Sequence, residues 1–319
     1  MHEFEIIKKY FYQIAKKNKS ALSLNDDVFF DKNKGLVISI DTYNQGIHFL
    51  NFNQPDLVIK KILRSSISDL VCKGVEPKYY FISGSGNKKS FSRSNLLRIS
   101  KSLVQEQKKF NIILCGGDTT FSNNLSFSIT SVGFSKKIVY RNKSKLHDNI
   151  YVTGNLGDSF VGLEILKKRI SLKKRINNFF IKKYFQPNIQ ITLSKKLLEF
   201  ANSSIDISDG LLADLEKMIN NQKLSYKLDE SLIPISRNLS KVIKDNKYQK
   251  LRLVSSGDDY QVLFTASPNK SRIIAKTSKT LGIKITKIGK IISGNNKNIL
   301  IDQKGKKIVI KTKGYVHKF

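Results

Sequence analysis

Aspartates are the residues of this sequence whose positions point most clearly to chemistry. They occur as adjacent pairs, at i, i+3 spacing, or beside a predicted strand or helix end: Asp26 and Asp27, Asp41, Asp69, Asp118, Asp206 and Asp209, and Asp258 and Asp259. Glycine, serine or threonine stands next to several of them. Because open sheets place ligand sites where strands and helices end, we expect several of these carboxylates to converge on one site.

Converging carboxylates repel one another, by about 4 kcal/mol for two charges ~4 Å apart at an effective dielectric constant of 20. Such a cluster needs protons, basic side chains or metal ions to neutralise it. Oxygen-rich sites beside serine and threonine suit Mg²⁺ that shares oxygens with a substrate's phosphates. The pattern therefore favours phosphoryl chemistry, although a helix cap or a turn explains any single aspartate about equally well.

Other catalytic motifs are missing from the sequence. Gly84–Ser90 (GSGNKKS) lacks the second glycine before Lys-Ser that a phosphate-binding P-loop has, and we expect it to be a surface loop. No GxGxxG follows a predicted strand, and neither GxSxG nor HExxH occurs. Cys72 and Cys115 form no CxxC pair, which favours buried thiols in a reducing, cytoplasmic setting.

The charge of the chain leaves a second function open. Its 319 residues include 57 Lys and Arg against 25 Asp and Glu, a net charge of +32, which suits a nucleic-acid-binding protein. The lysines are spread in ones and twos, so we favour a background surface property and no specific nucleic acid. With 40% hydrophobic residues the chain is no disordered polycation, and no stretch approaches the roughly 18 uninterrupted apolar residues of a membrane helix.

The predicted elements alternate between strands and helices, which indicates a mixed α/β (α+β) protein. A basic, polar stretch at Lys136–Asp148 marks a boundary, dividing the chain into domains 1–137 and 138–319. A helix begins at Pro55, with Gly74 as its C-cap. We expect Ser171–Lys183 to be a mobile basic connector or insert, and the chain to close with a hairpin through Ile310.

Nine motifs occur in an order that identifies a family. They are Glu3–Ile7 (EFEII), Asn25–Asp27 (NDD), Ser39–Phe49 (SIDTYNQGIHF), Ser66–Pro77 (SISDLVCKGVEP), Gly116–Thr120 (GGDTT), Val152–Asp158 (VTGNLGD), Ile205–Leu211 (IDISDGL), Ser255–Val262 (SSGDDYQV) and Lys313–Tyr315 (KGY). Over nearly its whole length the chain resembles the thiamine-monophosphate kinase family of the aminoimidazole-ribonucleotide-synthetase-like superfamily.

The fourth motif reads N-L-S-D-L-A-A-M-G-A-x-P in that family. This chain departs from the family's motifs at five positions. It has Asn25 where the family has Gly, Ile40 where it has Thr, Phe121 where it has Arg, and Asp258 and Gln261 where it has Glu.

The resemblance implies two domains, with an N-terminal mixed sheet and helices that form the interface of a homodimer, and a C-terminal α/β domain. It implies transfer of a phosphate from ATP to thiamine monophosphate, giving thiamine diphosphate and ADP, with several Mg²⁺ ions. The metal-binding positions implied are Asp27, Ser39, Ile40 (which lacks the motif's hydroxyl), Asp41, Asp69, Asp118, Asp206 and Asp209. Those at the nucleotide are Gly117, Asp118, Arg141 and Ser208, and those at thiamine monophosphate are His48, Asp258 and Tyr315.

The chemistry of the implied reaction agrees with these residue types. The acceptor is an ionised phosphate oxygen, so the aspartates serve as metal ligands and no general base or covalent nucleophile is needed. Arg141 suits a bidentate phosphate clamp, and Tyr315 suits stacking on the cationic thiazolium ring. Two alternatives remain: a sister ATP-dependent enzyme of the same superfamily, and a basic nucleic-acid-binding protein.

Overall fold

The computed structural model describes residues 3–246, 249–295, 297–309 and 314–315. In these ranges two mixed sheets form, with strand orders β1-β2-β5-β3-β4 and β11-β8-β10-β6-β9-β7, which confirms the predicted α+β class. The strands are β1 Phe29–Asp31, β2 Leu36–Asn44, β3 Pro77–Gly86, β4 Ile113–Phe121, β5 Ser126–Phe134, β6 Asn149–Thr153, β7 Ser203–Asp206, β8 Leu224–Asp229, β9 Val262–Ala266, β10 Ile285–Ser293 and β11 Ile299–Ile301.

The helices pack around these sheets. They are α1 Glu3–Ile6, α2 Tyr12–Ala15, α3 Pro55–Cys72, α4 Arg93–Phe110, α5 Asp158–Leu166, α6 Lys174–Phe185, α7 Ser194–Phe200, α8 Leu211–Met218, α9 Arg237–Asn246, α10 Lys250–Val254 and α11 Ser271–Leu281. A π-helical segment, Ile7–Phe11, joins α1 to α2. No helix within the described ranges is long and apolar enough to cross a membrane.

Helix α3 is the element that links the two halves. It contacts β2 and β5 of the first sheet and β7 and β9 of the second. Pro55 occupies its first turn, as predicted. At its other end Gly74, with φ of +82°, donates to the Val71 carbonyl and Val75 donates to the Leu70 carbonyl, the paired bonds of a Schellman motif. The local sequence therefore fixes both ends of the helix.

Strand β2 presents two faces with different roles. Ser39 and Asp41 lie on the face turned toward α3, together with the buried side chain of Tyr43. Ile40 lies on the opposite face and is 69% exposed. This alternation follows from the two-residue repeat of a strand, and it directs the Ile40 side chain away from Ser39 and Asp41.

Two aspartates lie inside strands and not at strand ends, so the prediction that Asp41 and Asp118 end their strands was wrong. Asp41 pairs with Ile129 of β5, and Asp118 pairs with Ser83 of β3. The GGDTT segment continues β4 because β3 extends beside it as far as Gly86 and supplies backbone partners. The expected surface loop at residues 84–90 therefore begins inside β3.

The basic segment Ser171–Lys183 is also not the connector that we predicted. Most of it belongs to α6, which packs on α5, with Phe180 and Tyr184 buried. At Gly162 of α5 an added Cβ would lie 2.3 Å from the Phe180 carbonyl oxygen, so the two helices meet at a glycine. The aromatic side chains of α6 pack in the interior, whereas the lysines between them extend toward solvent.

The predicted terminal hairpin is present as far as the described residues extend. The chain turns back after β11, where Ile301 forms an antiparallel bridge with Lys307 and the backbone N–H of Ile308 donates to the Leu300 carbonyl at 2.8 Å. β11 also pairs in parallel with β8. Ile310, where the predicted hairpin ended, and Lys313 of the KGY motif lie outside the described residues.

Candidate active site

Three aspartates from both halves of the chain lie close enough to influence one another's charge. Asp41 comes from β2, Asp69 from the last turns of α3, and Asp206 from the end of β7. We call Asp41, Asp69 and Asp206 the aspartate trio. Each accepts a hydrogen bond from a hydroxyl: Asp41 from Tyr43 at 3.1 Å, Asp69 from Ser39, and Asp206 from Ser68.

Burial and mutual repulsion raise the pKa values of the trio. Desolvation raises the pKa of Asp41 to about 6, against the hydrogen bond from Tyr43. Desolvation, followed by the charges of Asp41 and Asp206, raises the pKa of Asp69 well above its ordinary value. Desolvation also raises the pKa of Asp206 to about 6, against the Ser68 hydrogen bond. Burial, more than the neighbouring charges, therefore disfavours the ionised forms of these three carboxyl groups.

A second acidic group, Asp26 and Asp27, is neutralised by side chains. Nζ of Lys73 lies 2.7 Å from Oδ1 of Asp26 and 2.7 Å from Oδ2 of Asp27. Nε of Arg141 donates to Oδ2 of Asp27 at 3.0 Å, and its Nη2 contacts Oδ1. Lys73 also donates to the Ser204 carbonyl. Asp27 and Arg141, predicted to hold a metal and a nucleotide, thus contact each other here.

A third group lies at the start of α8. Lys217 forms ion pairs with Asp209 and Asp214, and Asp214 accepts from the backbone N–H groups of Asp209 and Gly210 at 2.9 and 3.0 Å. The backbone N–H of Tyr315 donates to the Asp209 carbonyl at 3.0 Å. The structure thereby places Gly314 and Tyr315 beside the IDISDG motif.

Asp258 is held by residues from both halves. Its Oδ1 lies 2.6 Å from Nζ of Lys61 and accepts from the Tyr260 hydroxyl at 3.0 Å. Its backbone N–H donates to the Ser208 carbonyl at 2.8 Å, which joins a predicted nucleotide residue to a predicted substrate residue. The Tyr184 ring lies 3.9 Å from the Lys61 ammonium.

His48 reaches the same region through aromatic neighbours. Its carbonyl accepts from the Tyr184 hydroxyl at 3.4 Å. Its Nδ1 accepts from the backbone N–H of Asn44, and its ring meets Tyr43 edge-on at 5.7 Å. Tyr43 and the Asn44 N–H therefore position the imidazole, while Tyr184 connects the His48 backbone to the Lys61 ammonium that pairs with Asp258.

Gly117 and Asp118 lie on the exposed edge strand β4. At Gly117 an added Cβ would lie 1.8 Å from the Ile82 carbonyl oxygen, so only glycine fits against β3. Asp118 is exposed, and its Oδ1 accepts from the backbone N–H of Thr119 at 2.8 Å. Within the described residues, no hydrogen bond or ion pair joins the Asp118 side chain to the trio.

Two buried lysines at the candidate site were not predicted from the sequence. Lys61 and Lys73 are buried and contact predicted site aspartates. Both lie on one i, i+4 stripe of α3 and its cap, together with Ser65 and Asp69. That spacing could have indicated them, because a residue four or eight positions from a site aspartate lies on the same face of a helix, as Lys73 and Lys61 do relative to Asp69.

The trio supplies oxygen donors of the kind that a divalent cation uses, but it does not form a metal-binding group by itself. In the part of the chain that the structure describes, no three His, Cys, Asp or Glu side chains are close enough to hold a metal ion by themselves. Mg²⁺ in phosphate-transferring sites needs only one or two carboxylates, and phosphate and water oxygens complete its shell. The carboxylate oxygens of the trio and the hydroxyls that donate to them are the donor set that such an ion would use.

Known proteins resemble this chain over part or nearly all of its length. The model of the AIR synthase related protein N-terminal domain matches residues 24–135. Thiamine-monophosphate kinase of Buchnera aphidicola subsp. Schizaphis graminum is 37% identical, covering 99% of this chain and 98% of that protein. The enzyme of Buchnera aphidicola subsp. Acyrthosiphon pisum is 35% identical over the same shares.

A solved structure supports the same relationship. The structure of AaThiL complexed with AMPPCP and TMP has a TM-score of 0.85 and 26% identity, covering 99% of this chain and 97% of that one. The likeness thus extends through both sheets and is not limited to the matched N-terminal domain. With 37% identity to a relative over nearly its whole length, the chain belongs to the thiamine-monophosphate kinase family.

Proposed function

We propose that this protein transfers the γ-phosphate of ATP to thiamine monophosphate, giving thiamine diphosphate and ADP. The observation that carries the proposal is the aspartate trio, which β2, α3 and β7 assemble from both halves of the chain. The names of its relatives and the ligands of AaThiL support the choice of substrates. Bringing two polyanions together requires positive charge more than it requires a nucleophile.

Mg²⁺ belongs to this proposal, with Ser39, Asp41, Asp69 and Asp206 as the residues that would hold it. When bound, Mg²⁺ supplies the charge that screens the repulsion between the two phosphate groups. The chain's own part is to orient the ligands: hydroxyls of Tyr43, Ser39 and Ser68 each fix one carboxylate. Because the acceptor phosphate is already ionised, no aspartate has to remove a proton.

The remaining predicted residues stay proposals about the two substrates. Gly117, Asp118, Arg141 and Ser208 would face the nucleotide, and His48, Asp258 and Tyr315 would face thiamine monophosphate. Asp118 and Asp209 would add metal contacts once a nucleotide is bound. Nε and Nη2 of Arg141 contact Asp27, so a phosphate would meet the Nη1 edge of the guanidinium.

A homodimer formed through the N-terminal half is also proposed. The outer face and edge of the first sheet expose large apolar side chains, of which Ile40 and Ile113 are 69% and 57% exposed. Tyr79 and Phe134 on the same sheet meet edge-on at 6.0 Å and are also exposed. Exposed apolar side chains on neighbouring strands are typical of a protein interface.

The domain division and the location complete the proposal. The first sheet ends at Phe134 and the second begins at Asn149, which supports a boundary at 137/138. A cytoplasmic location suits an enzyme that consumes ATP.

One experiment tests the proposed reaction. Purified protein is incubated with ATP, Mg²⁺ and thiamine monophosphate, and thiamine diphosphate is measured by chromatography, with reactions lacking the acceptor or Mg²⁺ as controls. We expect diphosphate formation only in the complete mixture. Turnover of a different acceptor would indicate a sister enzyme of the superfamily, whereas tight, salt-dependent DNA or RNA binding without turnover would favour the nucleic-acid alternative.

A further inference from the structure

Lys73 occupies an unusual place for a lysine. Its side chain is wholly buried, and its ammonium lies 2.7 Å from a carboxylate oxygen of each of Asp26 and Asp27. The Ser204 carbonyl accepts from the same ammonium at 2.9 Å. Lysine is rarely buried unless its charge is paired, so this arrangement is a built ion site and not a surface contact.

The pair Asp26 and Asp27 is neutralised completely by side chains. Two carboxylates face two cations, Lys73 and Arg141, and both oxygens of Asp27 are in contact with one or both of them. Asp26 also accepts from the backbone N–H of Arg141 at 2.9 Å and from that of Asp27 at 2.8 Å. A divalent ion at Asp27 would have to displace an ammonium or a guanidinium, so this position does not fit a metal.

The aspartate trio has the opposite balance. Each of its members accepts a hydrogen bond from a neutral hydroxyl, and among the described residues none of the three forms an ion pair of the kind that Lys73 and Arg141 form with Asp26 and Asp27. The acidic region of the site is therefore divided into a neutralised pair and an under-neutralised trio.

The position of Lys73 at the end of α3 favours its charge. It is the C-cap residue of that helix, where the helix dipole stabilises a cation. In the family motif N-L-S-D-L-A-A-M-G-A-x-P, the residue at this position is methionine, which has a similar length and no charge. The ammonium is therefore a feature of this chain that the motif does not predict.

We infer that Lys73 is a built-in cation that takes the place of a metal ion at Asp26 and Asp27, so that divalent ions bind at the trio and not at this pair. The inference rests on one part of the proposed function, namely that the trio is the site at which Mg²⁺ binds. It assigns to Asp27 an ion-pairing role in place of the metal-binding role that the family resemblance implies.

Counting bound Mn²⁺ tests this directly, with the electron paramagnetic resonance signal of free Mn²⁺ as the readout and no nucleotide present. Wild type, Asp27→Asn and Asp69→Asn are compared, with Lys276→Met, an exposed lysine of α11, as the charge control. We expect Asp27→Asn and Lys276→Met to bind as many ions as wild type, and Asp69→Asn to lose binding. Loss of an ion in Asp27→Asn would overturn the inference.

Lys73→Met provides the converse measurement. With the ammonium removed, Asp26 and Asp27 should take up an additional Mn²⁺ ion per chain, or bind Mn²⁺ about tenfold more tightly than wild type does. The double variant Lys73→Met, Asp27→Asn should lose this gain. An unchanged ion count and affinity in a folded Lys73→Met variant would overturn the inference; if that variant does not fold, the Asp27→Asn comparison decides.

Failure of the proposed function would look different. If wild type forms no thiamine diphosphate while Asp27→Asn keeps the wild-type ion count, the reaction assignment is wrong and the role of Lys73 stands. If thiamine diphosphate forms and Asp27→Asn loses an ion, the reaction stands and Lys73 does not replace a metal.

Discussion

Nζ of Lys61, on α3 of the N-terminal half, lies 2.6 Å from Oδ1 of Asp258, which immediately precedes the buried stretch leading into β9. The lysine side chain is 1% exposed, and burial lowers its pKa, whereas the charge of Asp258 opposes that shift. Asp258 has a left-handed backbone, with φ of +64°. The ion pair therefore fixes a residue in a sparsely populated conformation and ties the two halves together at a proposed substrate contact.

Replacing Lys61 with methionine should weaken both stability and substrate binding. The substitution keeps the length of the side chain and leaves the Asp258 carboxylate with Tyr260 but without its cation. Breaking a buried ion pair costs about 3–5 kcal/mol, so we expect a free energy of unfolding lower by about that amount. We also expect the KM for thiamine monophosphate to rise more than kcat falls, because Lys61 positions a binding residue.

Denaturant unfolding and steady-state kinetics check these two effects separately. Lys276→Met, which removes an exposed charge on α11, should leave both measurements at the wild-type values. A Lys61→Met enzyme with the wild-type KM would show that Asp258 does not depend on this lysine for its position.

Asp118→Asn should abolish turnover and leave the fold intact. The side chain is exposed on β4, and its replacement changes charge without a large change in volume. We expect a loss of activity of about 100-fold or more, as for removal of an electrostatic partner of the reacting groups. The unfolding free energy should stay within about 0.5 kcal/mol of wild type. Near-normal activity in the kinase assay would remove Asp118 from the proposed metal set.

The sequence predicted those parts of the fold that local chemistry determines. Pro55 and Gly74 correctly marked the ends of α3, because a proline in the first turn and a left-handed glycine after the last act within a few residues. The extension of β2 and β4 past Asp41 and Asp118 was missed, since it depends on partner strands distant in the sequence.

The site shows the same division between local and distant causes. The aspartates stood out because they lie in motifs, whereas Lys61 and Lys73 were counted with the general excess of lysine. Their burial depends on partners far away in the chain: Asp258 is 197 residues from Lys61, and Ser204 is 131 residues from Lys73. The i, i+4 spacing on α3 indicates the direction in which the two lysines face, but no short sequence window identifies these distant partners.

Ile113→Asp should dissociate the proposed homodimer. A carboxylate on the exposed edge strand β4 would be buried without a partner if this surface forms an interface. We expect light scattering to show a dimer for wild type and a monomer for Ile113→Asp at the same concentration. Leu232→Asp, at a 47% exposed leucine of the second half, is the matched control and should remain dimeric. A monomeric wild type would contradict the proposed interface.

The effect of Mg²⁺ on thermal stability should depend on pH in a defined direction. Asp41 and Asp206 have pKa values of about 6 in the folded protein, above the ordinary value of 3.8. The folded state therefore holds protons that the unfolded state has released between pH ~4 and ~6. In chelator-treated protein, the stability that these protons contribute is present below pH ~4 and is lost as the pH rises through about 6.

Since Mg²⁺ competes with the protons, we expect it to raise the melting temperature more at pH 7.5 than at pH 5. Asp206→Asn should reduce that difference, and the check is differential scanning fluorimetry with EDTA or Mg²⁺ at both pH values. An equal Mg²⁺ effect at the two pH values would show that the ion does not bind at the trio.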